Sequence, residues 1–155
     1  MSATTSTGNR ETILVVDDDL SVLVLIQSIL ISANYRVLLA TERADAIRIA
    51  TQKHLHIDIA LLDVRMPGMP ATALADEIMN ARPNVRVLFM SGYVDEEIVR
   101  IKLLEQYAGF IAKPFRNDGL LRAIEHALEA PAHAMKATPG AGMPAAAAGN
   151  SGSCV

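Results

Sequence analysis

The sequence predicts an α/β fold, a parallel five-stranded sheet covered by helices on both faces. Three observations carry this. Short apolar runs recur along the chain, each rich in Ile, Leu and Val and apolar on successive residues, as strands buried on both faces are. Segments of helical period separate them, in repeating units of roughly 20 to 25 residues, the alternation that builds a parallel sheet. Four of the five runs end in a polar residue able to do chemistry, and in such sheets ligands bind outside the carboxyl ends of the strands.

In chain order, Thr12 to Val16 (TILVV) is the first strand, followed by Asp17, Asp18 and Asp19. Leu20 to Ser32 is the first helix, with an Asp available as its N-cap. Tyr35 to Ala40 is the second strand, and Thr41 with Glu42 opens a helix to about His54. The third strand begins near Ile57 (IDIALLD) and stops at Asp63, because Met66-Pro67-Gly68 cannot continue it. Pro70 suits the first turn of a helix to about Ala81. Val85 to Met90 is the fourth strand, ending in Ser91-Gly92, and Val94 to about Gln106 is helical in pattern. Ala108 to Ala112 is the fifth strand, ending in Lys113-Pro114. Arg116 to about Glu129 is the last helix, with Leu120, Leu121, Ile124, Ala127 and Leu128 as its buried stripe.

Residues 11–130 therefore form one domain. The first ten residues are polar and predict a disordered N-terminal segment. From Pro131 to Val155 the chain is mostly Ala, Pro, Gly and Ser, which predicts a disordered tail with no room for a DNA-binding helix-turn-helix.

Composition narrows the function. The chain has 155 residues, of which 51% are hydrophobic and 4% aromatic, so aliphatic side chains must fill the core. A net charge of -3 gives no general electrostatic argument for nucleic acid, which would want a basic face. The single cysteine, Cys154, permits no disulfide framework within one chain. No signal peptide and no membrane-length apolar run is present, so the expected location is cytoplasmic. His54, His56, His126 and His133 show no ligand spacing and read as surface or helix-end residues.

The fold brings Asp17, Asp18, Asp63, Ser91 and Lys113 to one edge of the sheet. Three carboxylates crowded there repel one another and call for a hard divalent cation, for which Mg²⁺ is suited. A carboxylate can serve as nucleophile and form an aspartyl-phosphate. The phosphoryl group then needs a hydroxyl donor and a fixed positive charge, which Ser91 and Lys113 supply. Together these parts describe phosphoryl transfer.

The motifs ILVVDDD, LLDVRMPGM, SGY and KPF stand in this order. With them the chain resembles, over about Thr12 to Glu129, the receiver domain of bacterial two-component response regulators. The resemblance implies a flavodoxin-like fold with strand order 2-1-3-4-5. It implies that Asp63 is the phosphoacceptor, that Asp18 is a direct Mg²⁺ ligand with Asp17 assisting through water, and that the backbone carbonyl of Arg65 is the third protein ligand. Ser91 then matches the switch hydroxyl, Lys113 the lysine that pairs with the phosphoryl group, and Phe110 the aromatic switch position. It also makes Lys113-Pro114 the candidate for a cis peptide bond. Arg65 and Tyr93 fall where receivers vary and tune the lifetime of the phosphoryl group. Two departures stand out. Pro70-Ala71 replaces the Asp-Gly that often follows MPGM, and Phe110 lacks a tyrosine hydroxyl.

The resemblance implies a signalling phosphoacceptor that catalyses only its own phosphorylation and dephosphorylation. Its donor would be a histidine kinase or histidine phosphotransfer protein. A single-domain response regulator is the first reading, and a C-terminal receiver of a hybrid histidine kinase is the alternative. An aspartyl-phosphate phosphatase of the HAD type would place a second Asp two residues after the nucleophile, where this chain has Arg65. A further expectation concerns the first helix, which contains no charged residue. With Val22, Leu25, Ile26, Ile29 and Leu30 turned to the core, Leu20, Leu23, Val24, Gln27 and Ile31 face outward. That face is expected to dock the phosphodonor, or to form a homodimer.

Overall fold

The protein is described by a computed structural model, covering residues 10–68, 70–92 and 107–129. The elements are β1 (Thr12–Val16), α1 (Leu20–Ser32), β2 (Arg36–Ala40), α2 (Arg43–Ala50), β3 (Ile59–Asp63), α3 (Ala71–Ala81), β4 (Arg86–Ser91), β5 (Gly109–Ala112) and α4 (Asn117–Glu129). The helix expected over 94–106, Tyr93, both terminal segments, His133 and Cys154 lie outside the described residues. All five strands are parallel, in the order β2-β1-β3-β4-β5 that the resemblance implies. Among the described residues no helix is long and apolar enough to cross a membrane.

Each central strand is apolar on both faces because each faces its own core. Leu14, Val16, Ala60, Leu62, Val87 and Phe89 pack under α2 and α3. Ile13, Val15, Ile59, Leu61, Leu88 and Met90 pack under α1 and α4. The alternation of partners along one strand explains the continuous hydrophobic runs. Phe89 also meets Tyr107 edge to face, with centroids 4.9 Å apart. The Tyr107 hydroxyl donates to Asp76 Oδ1 on α3 at 3.2 Å. Burial and that carboxylate push the tyrosine up to about 12.

α1 is fixed at both ends. Asp19 caps it, accepting from the Ser21 backbone N–H at 3.0 Å and from the Ser21 hydroxyl at 2.6 Å. Those Ser21 bonds favour the ionised form and hold the Asp19 carboxyl below its ordinary range. At the other end Asn34 adopts a left-handed φ of 75°. The Asn34 N–H then reaches Ile31 O at 2.9 Å and the Tyr35 N–H reaches Leu30 O at 3.0 Å, closing a Schellman turn into β2.

Between these caps the helix is rotated from the expected phase. Leu23, expected outward, is 0% exposed and packs with Ile26, Ile29 and Leu30 in the core. Leu25, expected inward, is 51% exposed. Ser21, Ser28 and Ser32 fall on one exposed side of the helix, opposite Leu23 and Leu30, but with no charge among them the phase signal is weak and packing on the sheet decides it. α2 ends at Ala50, short of His54. Thr51 Oγ1 turns back to Arg48 O, and the Arg82 guanidinium takes the Ala50 and Gln52 carbonyls, which stops the helix there. Pro70 sits at the N-cap of α3, one residue before the first turn. His56, read from sequence as having no acid at ligand spacing, pairs through Nε2 with Asp58 Oδ1 at 2.8 Å, and Asp58 Oδ2 accepts from the Thr12 N–H.

Candidate functional site

The carboxyl ends of β1, β3, β4 and β5 meet in one cleft because parallel register aligns them. Val16 is beside Leu62, Asp63 beside Met90, and Ser91 beside Ala112. Asp63 and Ser91 are the last residues of their strands, while Asp17 and Lys113 are the first residues beyond theirs. Backbone bonds extend the register past the strand ends. The Asp17 N–H reaches Ala40 O at 3.2 Å, Val64 N–H reaches Met90 O at 2.9 Å, and Lys113 N–H reaches Ser91 O at 2.7 Å. The side chains of the site thus stand on rigid backbone.

Asp17, Asp63 and Ser91 are buried, whereas Asp18 is exposed. Carboxylate oxygens of Asp17, Asp18 and Asp63 lie within 4.8 Å of one another. Lys113 Nζ enters between two of them, donating to Asp17 Oδ2 at 2.9 Å and to Asp63 Oδ1 at 3.4 Å. Asp17 Oδ1 also accepts the Asp19 N–H at 2.9 Å, so the buried carboxylate is held at both oxygens. The Arg65 N–H lies 3.5 Å from Asp63 Oδ1, and the Arg65 side chain is exposed. The Lys113-Pro114 peptide is cis, as expected.

The electrostatics follow from one cation among three acids. Burial, and then the negative charge of Asp17, push the Asp63 carboxyl above its ordinary value, against the opposing pull of Lys113. Burial alone would lower Lys113, but its bond to Asp17 and the charges of Asp63 and Asp17 outweigh that and hold its pKa above the ordinary value. The site is short of positive charge, and its spare donors are hard oxygens. This donor set fits a small divalent cation such as Mg²⁺.

The cleft has a volume of about 630 Å³ and is not wholly polar. Val22 and Leu25 of α1 line one side, with Pro114 and Phe115 of the β5–α4 loop beside Lys113. Sequence reasoning missed Leu25 as a cleft residue because it assigned that side chain to the core. Gly68 and Arg43 were not singled out for the shape of the β3–α3 loop. Gly68 has φ +100°, and a Cβ there would collide with the Arg43 guanidinium, which lies over the β3–α3 loop from the start of α2. Phe110 is half-buried against the core under α2 and α3, in register with Phe89. Of the residues expected to dock a partner, Leu20, Val24 and Ile31 are exposed on α1, and Leu23 is excluded by its burial.

A doubly wound sheet in this strand order, with an acidic cleft and a lysine at its carboxyl edge, is the architecture of receiver domains. The chain belongs to the response regulator receiver domain family, matched over residues 13–125. It is 34% identical over 140 residues to the transcriptional regulatory protein ZraR of Salmonella typhimurium, a match covering 90% of this chain and 30% of that protein. It is 29% identical over 125 residues to the sensor kinase CckA of Brucella abortus, covering 81% of this chain and 13% of that protein. The chain thus spans less than a third of these curated relatives. The solved CheY-like receiver domain protein from Methanospirillum hungatei superposes with a TM-score of 0.69 at 26% identity, covering 78% of this chain and 95% of that one.

Proposed function

We propose that Asp63 accepts a phosphoryl group from a phosphohistidine on a sensor kinase or phosphotransfer protein. The observation that carries this is the placement of Lys113 Nζ between buried Asp17 and Asp63, beside exposed Asp18. An Asp63 oxygen attacks phosphorus in line. The bond from phosphorus to the imidazole nitrogen breaks, and its electron pair leaves on that nitrogen. Lys113 is already within reach of Asp63 and can pair with the oxygens of the transferred group. Asp17, Asp18 and the Arg65 carbonyl are the groups that would hold Mg²⁺ together with Asp63. When bound, the ion supplies the positive charge that lets an anionic donor approach three carboxylates.

The reading extends to signalling. Ser91, buried at the end of β4, would turn its hydroxyl toward the phosphoryl group, and half-buried Phe110 would repack when it does. The donor meets the apolar lip of the cleft formed by Val22, Leu25, Pro114 and Phe115. The chain acts as a phosphoacceptor and not as a phosphatase on external substrates. The position two residues past Asp63, where such an enzyme carries its second acid, holds exposed Arg65.

The test is phosphorylation by acetyl phosphate with Mg²⁺, read by intact mass. Wild type should gain the mass of one phosphoryl group and Asp63→Asn should gain none. Equal labelling of Asp63→Asn would overturn the assignment.

A further inference from the structure

α1 carries all four large apolar side chains that stand exposed among the described residues. They are Leu20 at 62%, Val24 at 54%, Leu25 at 51% and Ile31 at 54%. Leu25 is accounted for by the cleft it lines. The other three point elsewhere. At 3.6 residues per turn, Leu20, Val24, Gln27 and Ile31 fall within about 60° of one another, and Leu25 lies roughly 120° from their centre. None of these four residues lines the cleft, so the stripe has no part in the acidic site.

Their spacing of four, three and four is the d-a-d-a sequence of a heptad, with Leu20 and Gln27 at d and Val24 and Ile31 at a. Such an a/d stripe is the seam along which two helices pack side chains into each other's gaps. The flanking e positions are Ser21 and Ser28, small enough for close approach, while the g positions, Leu23 and Leu30, are already committed to the core. No charge occurs from Leu20 to Ser32, so an identical helix meets no like-charge repulsion along the seam. Orientation follows from the ends. A parallel pair would bring Asp18 and Asp19 of both copies together. An antiparallel pair separates them and sets each helix dipole against its opposite.

We propose that two copies of the chain pair antiparallel through α1, about a two-fold axis passing between Val24 and Gln27. Leu20 then packs against Ile31 of the second copy, and Val24 against its Gln27. This self-pairing makes every contact twice, as a closed two-fold interface requires. One helix face buries less than the ~800 Å² per partner of standard interfaces, so the dimer is weak and concentration-dependent. The inference does not rest on the phosphoacceptor reading, since it uses no residue of the acidic site.

Sedimentation of the full chain from micromolar to millimolar concentration should show a monomer–dimer equilibrium. Val24→Glu should abolish it without changing the circular dichroism spectrum. Gln27→Leu should tighten it about tenfold by burying an apolar side chain at the axis. In a Cys154→Ser background, a Leu20→Cys chain mixed with an Ile31→Cys chain should form a disulfide-linked heterodimer, and Leu20→Cys alone should not cross-link. A wild type that stays monomeric overturns the proposal, including the case in which Val24→Glu weakens only capture of a helical phosphodonor. A dimer that survives Val24→Glu, or one in which Leu20→Cys cross-links to itself, overturns it equally.

Discussion

Lys113 is bound more closely to Asp17, at 2.9 Å, than to Asp63, at 3.4 Å. The lysine is therefore anchored on the more deeply buried acid and only leans on Asp63, the proposed phosphoacceptor. Such an arrangement leaves the second contact free to be exchanged for phosphoryl oxygens without uncovering the buried charge of Asp17.

This sharing predicts opposite effects of two substitutions in metal-free protein. The Asp63 carboxyl is raised above 3.8 by burial and by Asp17. Its contribution to stability is therefore present below pH 3.8 and lost as pH rises through the folded value, leaving ionised Asp63 a net cost at neutral pH. Asp63→Asn should stabilise the fold at pH 7 by about 1 kcal/mol in chelator, with the gain fading in acid. Lys113 is raised above 10.5, so its contribution is present at all lower pH and lost above that value. Lys113→Ala should cost about 3 kcal/mol at pH 7, because Asp17 is left buried without its cation. Urea unfolding across pH measures both. A destabilised Asp63→Asn at neutral pH would contradict the charge balance.

Asp18 is exposed, so its carboxylate contributes little to folding, and its proposed role is to hold the ion. Asp18→Ala should change stability by less than about 0.5 kcal/mol. The same substitution should weaken Mg²⁺ binding at least about tenfold by calorimetric titration. Unchanged affinity would place the ion elsewhere.

Gly68 lies in the loop that follows Asp63 and carries Arg65. Its φ of +100° strains any side chain placed there, and a Cβ would also have to displace the Arg43 guanidinium. Gly68→Ala should cost more than about 1 kcal/mol. By displacing the Arg65 carbonyl it should also lower Mg²⁺ affinity. Arg43→Ala should keep the loop's left-handed turn and so cost less than Gly68→Ala. A neutral Gly68→Ala in both assays would show that the loop rearranges freely.

The legible and illegible parts of the chain differ in one physical respect. Asp17, Asp63, Ser91 and Lys113 were readable because each closes an apolar run, and parallel register carries strand ends to one edge whatever the details of packing. Strand order came only with the resemblance, since five similar strands admit many orders. What was lost depends on contacts distant in sequence. Arg82 reaching back to the Ala50 carbonyl shortens α2, and Arg43 reaches over the Gly68 loop. Neither has a local signal. The phase of α1 was lost for a different reason. Amphipathic α4, with Leu120, Ile124 and Ala127 buried and charge outside, announces its inner face, whereas α1 marks its outer side only with the uncharged Ser21, Ser28 and Ser32.

That ambiguity gives the sharpest test of the α1 placement. Leu23 and Leu25 are chemically identical and two residues apart, and in the sequence only the uncharged serines Ser21, Ser28 and Ser32, on the side of Leu25, separate them. The structure separates them fully: Leu23 sits in the core with Ile26 and Leu30, and Leu25 stands half in solvent at the cleft. Leu23→Ala should cost 2 to 5 kcal/mol, roughly the range for a buried leucine whose neighbours close only part of the cavity. Leu25→Ala should stay within about 0.5 kcal/mol of wild type. It should instead slow phosphoryl transfer from a protein donor while leaving labelling by acetyl phosphate unchanged, because the small donor needs no apolar lip. Chemical denaturation and the two labelling rates settle the matter together. Equal losses of stability from the two substitutions would return the helix to the phase its periodicity first suggested.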